Sequence, residues 1–375
     1  MHVSAAFDSG NIDVLDASSP SNIRLAIRPD HGSDFYQWFH FRVSGPAGTP
    51  LTVGIENAGS AAYAKGWPGY RAVASVDRET WFRVATSYEG GVLRIHHTME
   101  ADAVWFAYFA PYSWERHQSL LGECLLSDRV RLETLGETLD GRALDLLTIG
   151  EPGDGKLNVW AICRQHPGES MAEWWAEGFL GRLLDDDDAL SRWLLERAVV
   201  RVVPNMNPDG SVRGHLRTNA CGANLNREWA APTMERSPEV KLVQDEMDRV
   251  GVDLLLDVHG DEAIRHNFIA GTYGVADWDE RREQLLDRFQ AAYAAANPDF
   301  QTVHGYPRNA PGTANLTMAG NQAAHRYGCL AMTLEMPFED CLEGPDAVFG
   351  WSPERSAKLG ASTLHPIAAV LADLR

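Results

Sequence analysis

Leu157-Asn158-Val159-Trp160-Ala161-Ile162-Cys163-Arg164-Gln165-His166-Pro167-Gly168-Glu169-Ser170-Met171-Ala172-Glu173 is the stretch that decides how this chain folds. Its first seven residues have the length and apolar content of a strand buried on both faces. A short polar loop with Pro and Gly follows. Ser170, with Glu173 three positions on, then has the pattern of a capping box that opens a helix running to about Leu184. Strand, loop and helix in that order are the unit of an α/β sheet.

The alternation continues downstream with a helix over Leu190–Arg197 and a strand over Val199–Val203. A helix opened by Ser237-Pro238 and closed by Gly251 leads to a strand over Asp253–Val258, and two more helices are predicted over Trp278–Ala296 and Pro353–Leu374. The acidic run Asp185–Asp188 reads as a solvated loop, because like charge is unfavourable at a helix C-terminus. The α/β pattern sets in near Ser119 and predicts a domain over residues 116–375.

Upstream the pattern is different. Short alternating or aromatic-rich stretches, Asn22–Arg28, Tyr36–Val43, Leu51–Glu56, Trp81–Thr86, Val92–His97 and Val104–Phe109, are separated by Gly, Pro, Asn and Asp. They predict an all-β antiparallel sandwich over residues 1–115. Two domains suit a chain of 375 residues, since single cores stop growing near ~250–300. His96-His97 is no metal pair, because adjacent strand residues face opposite sides.

A net charge of −19 argues against nucleic acid or an anionic membrane surface as partner. The five cysteines are scattered and form no C-x-x-C pair, which fits a reducing compartment. The N-terminus lacks a basic start and an apolar signal core, and no run of about 18 apolar residues occurs, so a soluble cytoplasmic protein is expected.

The chemistry gathers at two strand ends. His166 and Glu169 follow the first strand, and His259 follows the strand Asp253–Val258, 90 residues after Glu169. Ligand sites in α/β sheets form at such ends. Two imidazoles and one carboxylate would leave a tetrahedral zinc one open position for water. Each motif alone has a plain alternative: H-x-x-E recurs by chance on helix surfaces, and a single histidine can be a satisfied core residue. What favours a metal is the position of both elements just beyond buried strands.

The loop His166-Pro167-Gly168-Glu169-Ser170 is accompanied by three further motifs, Pro204-Asn205-Met206-Asn207-Pro208-Asp209-Gly210, Asn226-Arg227-Glu228-Trp229 and Thr333-Leu334-Glu335. Together they resemble the zinc metallocarboxypeptidases. Phe7-Asp8-Ser9-Gly10-Asn11, Gln37-Trp38-Phe39-His40-Phe41-Arg42-Val43 and Tyr108-Phe109-Ala110 are similar to the β-sandwich that precedes the catalytic domain in the cytosolic carboxypeptidase branch. The resemblance covers nearly the whole chain. It implies a mixed central sheet flanked by helices, one zinc per chain, and a peptide or protein C-terminus as substrate. It also implies that His166, Glu169 and His259 are ligands, that Glu335 is the general base and then the acid toward the leaving amine, and that Arg217 stabilises the oxyanion. Arg213 is the rival for that last role. Asn226 and Arg227 match the pair that receives the terminal carboxylate, for which a guanidinium fork suits two acceptor oxygens.

Two positions depart from the family pattern. Asn224 stands where an acidic partner of the first zinc histidine is usual, and Asn315 follows Gly312-Thr313-Ala314 where deglutamylating members carry Arg. Acidic C-terminal residues are still ranked slightly first, with Arg308 or Arg326 as the remaining cations. Tyr306 and Tyr273 both offer a substrate-capping tyrosine. The rival readings are a serine hydrolase using Ser170 in Gly168-Glu169-Ser170-Met171-Ala172, a zinc amidase or deacylase of small acylated amino acids or murein peptides, and a non-catalytic binding protein on the same fold.

Overall fold

The computed structural model describes residues Met1–Arg375. Seven strands form one mixed sheet in the order Val130–Glu137, Ala143–Ile149, Ala198–Val203, Leu157–Cys163, Leu254–Asp261, Leu330–Pro337, Phe268–Gly271. The four central strands are parallel and antiparallel strands close both edges. From Leu157–Cys163 the chain moves to one side for Ala198–Val203 and to the other for Leu254–Asp261. At such a reversal the loops beyond the carboxyl ends diverge and leave a crevice.

Both faces of the sheet are covered, as the apolar strands require. Val159 and Ala161 pack with Trp175 and Phe179 of the helix Met171–Leu183, which lies against the helix Pro353–Ser362. Trp160 and Ile162 point the other way, into a core shared with Val240, Val243 and Met247 of the helix Pro238–Val250 and with Ala319 and Ala323 of the helix Ala319–Tyr327. This is the period-2 alternation of a strand buried on both sides.

Residues ahead of the helix Trp114–Cys124 build two five-stranded sheets. One runs in the order His2–Ser4, His40–Ser44, Ala103–Ala107, Val73–Ser75, Phe82–Arg83; the other runs Asp13–Asp16, Ile23–Ala26, Pro50–Ile55, Val92–Thr98, Ala85–Glu89. All pairs are antiparallel except Ile23–Ala26 against Pro50–Ile55. The sandwich is fused to the catalytic sheet. Tyr108 stacks on Phe338 at 4.5 Å, and the buried Arg83 guanidinium donates to the carbonyls of Phe338, Glu339 and Trp351. One apolar cluster therefore runs unbroken from the sandwich strands to the sheet.

Several local expectations are corrected. Trp81–Thr86 is not one strand: it breaks at buried Val84, and its halves belong to different sheets, which frees Arg83 for the interface. Ser170 and Glu173 form no capping box. Ser170 Oγ donates to the Ala110 carbonyl at 2.9 Å, and Glu173 is buried among Arg164, Asn205 and His117. The helix expected over Pro353–Leu374 is two, Pro353–Ser362 and Leu364–Leu371, with Pro366 lacking the N–H that would bond back across the break. The third parallel strand extends to Asp261, so His259 sits within it rather than beyond it. Asp188 closes the acidic run by capping the next helix, accepting from the N–H groups of Leu190 and Ser191.

Candidate active site

Three donor groups converge where the strand order reverses. His166 and Glu169 lie on the loop after Leu157–Cys163, and His259 lies on the neighbouring strand. His166 Nδ1 is 2.6 Å from Glu169 Oε1, His259 Nδ1 is 2.7 Å from Glu169 Oε2, and the two Nδ1 atoms are 3.2 Å apart. All three residues are 2–3% exposed.

The loop is pinned from several directions. Arg164 adopts the left-handed region, φ 58°, which costs a non-glycine residue energy. Its guanidinium compensates by donating to the Pro167 carbonyl at 2.8 Å, the Tyr112 carbonyl at 2.9 Å and Glu173 at 2.5 Å. Gly168 N–H donates to the Leu216 carbonyl, so closely that an added Cβ would stand 2.9 Å from that oxygen.

The outer nitrogens of both rings have acceptors. His166 Nε2 faces Asn224 Oδ1 at 3.1 Å, and His259 Nε2 faces Asp257 Oδ1 at 2.9 Å. When each ring donates its Nε2–H there, its Nδ1 faces Glu169 as a lone pair, an arrangement that a cation between them completes. Two imidazoles and a carboxylate, their donor atoms all within 4.8 Å of one another, fit zinc. Burial alone would raise the Glu169 carboxyl, yet the two imidazoles hold it below the usual range. Burial and then the Arg217 guanidinium lower His166 to about 4, whereas Asp257 and Glu169 overcome the burial of His259 and raise it well above its ordinary value.

Glu335 pairs in register with His259 on the adjacent parallel strand, so both side chains stand on one face. Its Oε2 is buried without an intramolecular partner and Oε1 lies 3.2 Å from the Tyr306 hydroxyl, which donates to Asp261 Oδ2 at 2.5 Å. Burial, followed by the carboxylates of Glu169, Asp261 and Glu262, holds Glu335 well above the usual carboxylate range against the pull of His259. Burial and Glu169 likewise push Glu262 up to about 8. Tyr273 lines the same cavity but bonds neither Glu335 nor Asp261; it stands edge-on to Trp278 and under the Arg308 guanidinium.

Of the remaining candidates, Asn226 lines the crevice. Arg217 is balanced by Glu262, Glu169 and Glu335, while its rival Arg213 is bound in a two-point pair with Asp140 at 2.7 and 2.8 Å. Asn226 is buried, with Oδ1 accepting from Ala319 N–H at 2.8 Å and Nδ2 3.3 Å from His259 Nε2. Arg227 is exposed, and one guanidinium N–H donates to the Asn226 carbonyl. A cavity of about 750 Å³ opens beside Asn226 and Glu335, lined further by Thr272, Thr333, Tyr306 and Arg308. Asn315 commits its side chain to its own turn, and Arg326 is tied to Asp248. Ser170, fully buried and donating to a backbone carbonyl, cannot serve as a nucleophile.

Sequence reasoning missed Asp257, Gln165, Trp229, Glu262, Asp30 and Tyr63. Gln165 donates to both Asp257 oxygens and accepts from the Trp229 indole, fixing the carboxylate behind His259. Asp257 was legible, since a strand residue two positions before His259 shares its face.

Paired imidazoles and a carboxylate at adjacent parallel strand ends, with a second carboxylate aimed at them, define a metallohydrolase. Residues 3–109 match the cytosolic carboxypeptidase N-terminal domain and residues 123–347 match the zinc carboxypeptidase family. The chain belongs to the zinc carboxypeptidase family and is a metallocarboxypeptidase with one catalytic zinc. It is 49% identical to a metallo-carboxypeptidase from Pseudomonas aeruginosa solved in complex with (2-guanidinoethylmercapto)succinic acid, with 100% of both chains covered and a TM-score of 0.98. A metallo-carboxypeptidase from Burkholderia cenocepacia is 46% identical, with 99% of both chains covered and a TM-score of 0.96. Cytosolic carboxypeptidase 6 of Mus musculus is 28% identical over 394 residues, covering 95% of this chain and 70% of that protein.

Proposed function

We propose that His166, Glu169 and His259 hold the zinc, that Glu335 takes and then returns the proton, that Arg217 stabilises the oxyanion, and that Asn226 and Arg227 receive the terminal carboxylate of a peptide or isopeptide substrate. The observation that carries this reading is the unpartnered Glu335 Oε2, buried beside three converging donors at the mouth of a cavity flanked by Asn226. Zinc, when bound, supplies Lewis acidity toward a water and the scissile carbonyl.

A carboxylate held above its usual range binds a proton more readily than a free one, which favours Glu335 as the group that takes the proton of the attacking water, and Tyr306 steadies its other oxygen. The proton then passes from Glu335 to the leaving amine. Arg217 offers its charge where negative charge develops on the former carbonyl oxygen. Arg227 reaches the exposed side of the crevice, where its planar fork matches a carboxylate. A preference for acidic C-terminal residues rests on Arg308 alone among the cations considered, since Arg308 lines the cavity. Its existing pair with Glu283 weakens that preference.

We further propose that residues 1–115 and 116–375 are the two domains, and that the enzyme works in the cytoplasm without nucleic acid or membrane partners. The names of the cytosolic relatives, five free cysteines and the net charge of −19 support this. No helix is long and apolar enough to cross a membrane.

The test is a set of matched peptides presented as free acids and as C-terminal amides, with and without a chelator. Free acids should be cleaved, amides should be nearly inert, and chelation should abolish activity until zinc is restored. Equal cleavage of amides and acids would remove the exopeptidase reading.

A further inference from the structure

Arg217 does not stand on the sheet that carries the metal donors. It lies on the segment that leaves the helix Pro208–Arg213 through Gly214, and the partners that hold this segment come largely from the sandwich. Asp30, 2% exposed, reaches across from the sandwich. Its Oδ1 accepts from Leu216 N–H at 2.7 Å, and its Oδ2 accepts from Arg217 N–H at 2.8 Å, Thr218 N–H at 2.9 Å and the Thr218 hydroxyl at 3.1 Å.

Its neighbours in the sandwich bind the same segment. His31 N–H donates to His215 Nε2 at 3.1 Å, and Asn11 Nδ2 donates to the Gly214 carbonyl at 2.8 Å. Gly222 approaches Gly32 so closely that a Cβ there would stand 2.4 Å from the Gly32 carbonyl oxygen. Beyond the backbone, the Arg217 guanidinium lies 5.6 Å from the Phe35 ring and 5.4 Å from the Tyr63 ring, both sandwich residues.

Three successive N–H groups turned toward one carboxylate form an anion nest, and a nest closed by a buried carboxylate has a single low-energy backbone. Leaving any of these buried donors unpaired would be costly, so the four bonds act as a unit. The aromatic faces then restrict where the guanidinium travels. We propose that Asp30 is a positioning residue for peptide hydrolysis: it fixes the backbone from which Arg217 reaches the reacting carbonyl, so the sandwich completes the active site. This rests on the oxyanion role of Arg217 proposed above.

A double-mutant cycle on kcat with a free-acid peptide tests it, accompanied by zinc analysis and thermal melting. Asp30→Asn keeps the shape but turns an NH2 group toward the N–H donors. A misplacement of about 1 Å costs on the order of 10²-fold in rate, so kcat should fall tenfold to a hundredfold while KM stays within about twofold and zinc stays at one per chain. In an Arg217→Ala background, Asp30→Asn should lower kcat by no more than about twofold, because the group it positions is gone.

Equal losses in both backgrounds would make Asp30 a folding residue only and overturn the proposal, as would an unchanged kcat in Asp30→Asn alone. Arg217→Ala leaving kcat unchanged is a separate failure, which removes the oxyanion reading and this proposal with it. Should Asp30→Asn not fold, Phe35→Leu removes one aromatic face and leaves the carboxylate. It should lower kcat about threefold to tenfold only where Arg217 is present, and a loss independent of Arg217, or none, would overturn the proposal.

Discussion

The two halves of the site are built in different ways. His259 and Glu335 are paired in register on neighbouring parallel strands, and His166 and Glu169 sit on a loop tied to the same sheet end. Arg217, Asn226 and Arg227 lie instead in a region with only the short turn Leu225–Arg227 for regular structure, held by the side chains of Asp30 and Asn219 and by the Asn226 amide oxygen, which accepts from Ala319 N–H. Metal donors must keep their distances within narrow limits, and a ladder of backbone bonds provides that. The groups proposed to meet a variable peptide sit where side chains, rather than a ladder, set the backbone. The donor half should therefore fail by losing metal or chemistry, and the loop half by losing recognition with the metal in place.

The largest effect should come from the donor half. His259→Ala removes one of three donors, so metal and activity should disappear together. A full zinc equivalent in that variant would break the ligand assignment. Glu335→Gln should keep zinc and KM while kcat falls by roughly 10²–10⁴, because only proton transfer is lost. If KM alone rose, the proton-transfer role would be wrong.

The loop half is tested by Arg227→Met. Truncating one partner of a desolvated charge pair costs roughly 2–5 kcal/mol, and solvent screening of the exposed Arg227 lowers that cost, so kcat/KM on free acids should fall by about 10–10³ while cleavage of amides hardly changes. A loss shared equally by both substrate types would erase the contrast between the halves.

A smaller effect is expected behind the ligands. Asn224 accepts from His166 as a neutral amide, whereas Asp257 accepts from His259 as a carboxylate. Asp257→Asn would make both supports neutral and should weaken zinc affinity by about 10–100-fold, measured by competition with a chelator. Unchanged affinity would mean that Asp257 only orients the ring.

The last test concerns the support beneath the metal loop. His117 is buried between Glu173, 2.8 Å away, and Asp145. Burial opposes its charge, but the two carboxylates raise it from 6.5 to about 9. A raised histidine adds stability that is fully present below pH 6.5 and is lost as pH rises through about 9. The unfolding free energy from denaturant titrations should fall across that window, by on the order of 3 kcal/mol, and His117→Gln should flatten the slope. A slope unchanged by His117→Gln would assign the pH dependence elsewhere.

Legibility in the sequence follows the range of the interactions. Leu157–Cys163, Ala198–Val203 and the helix Pro238–Val250 lie within a few residues of their predicted limits because period, Pro and Gly act locally. The hairpin of Val130–Glu137 and Ala143–Ile149 escaped notice. Its first strand forms the sheet edge and is mostly exposed, so its apolar alternation is confined to Val130-Arg131-Leu132-Glu133. The motif at Ser170 misled because Glu173 is drawn away by Arg164 and His117, long-range partners that outweigh a local cap.

By itself the sequence determined the fold class, the strand-end motifs and the residue types able to hold zinc, since each depends on spacing within a strand and the loop beyond it. Tertiary structure alone decided which acceptor orients each imidazole, that Arg213 is tied to Asp140, that Tyr306 rather than Tyr273 meets Glu335, and that the sandwich holds the segment carrying Arg217 through Asp30, 186 residues from Leu216. These depend on side chains far apart in the chain meeting after packing, and such contacts leave no period or spacing for the sequence to display.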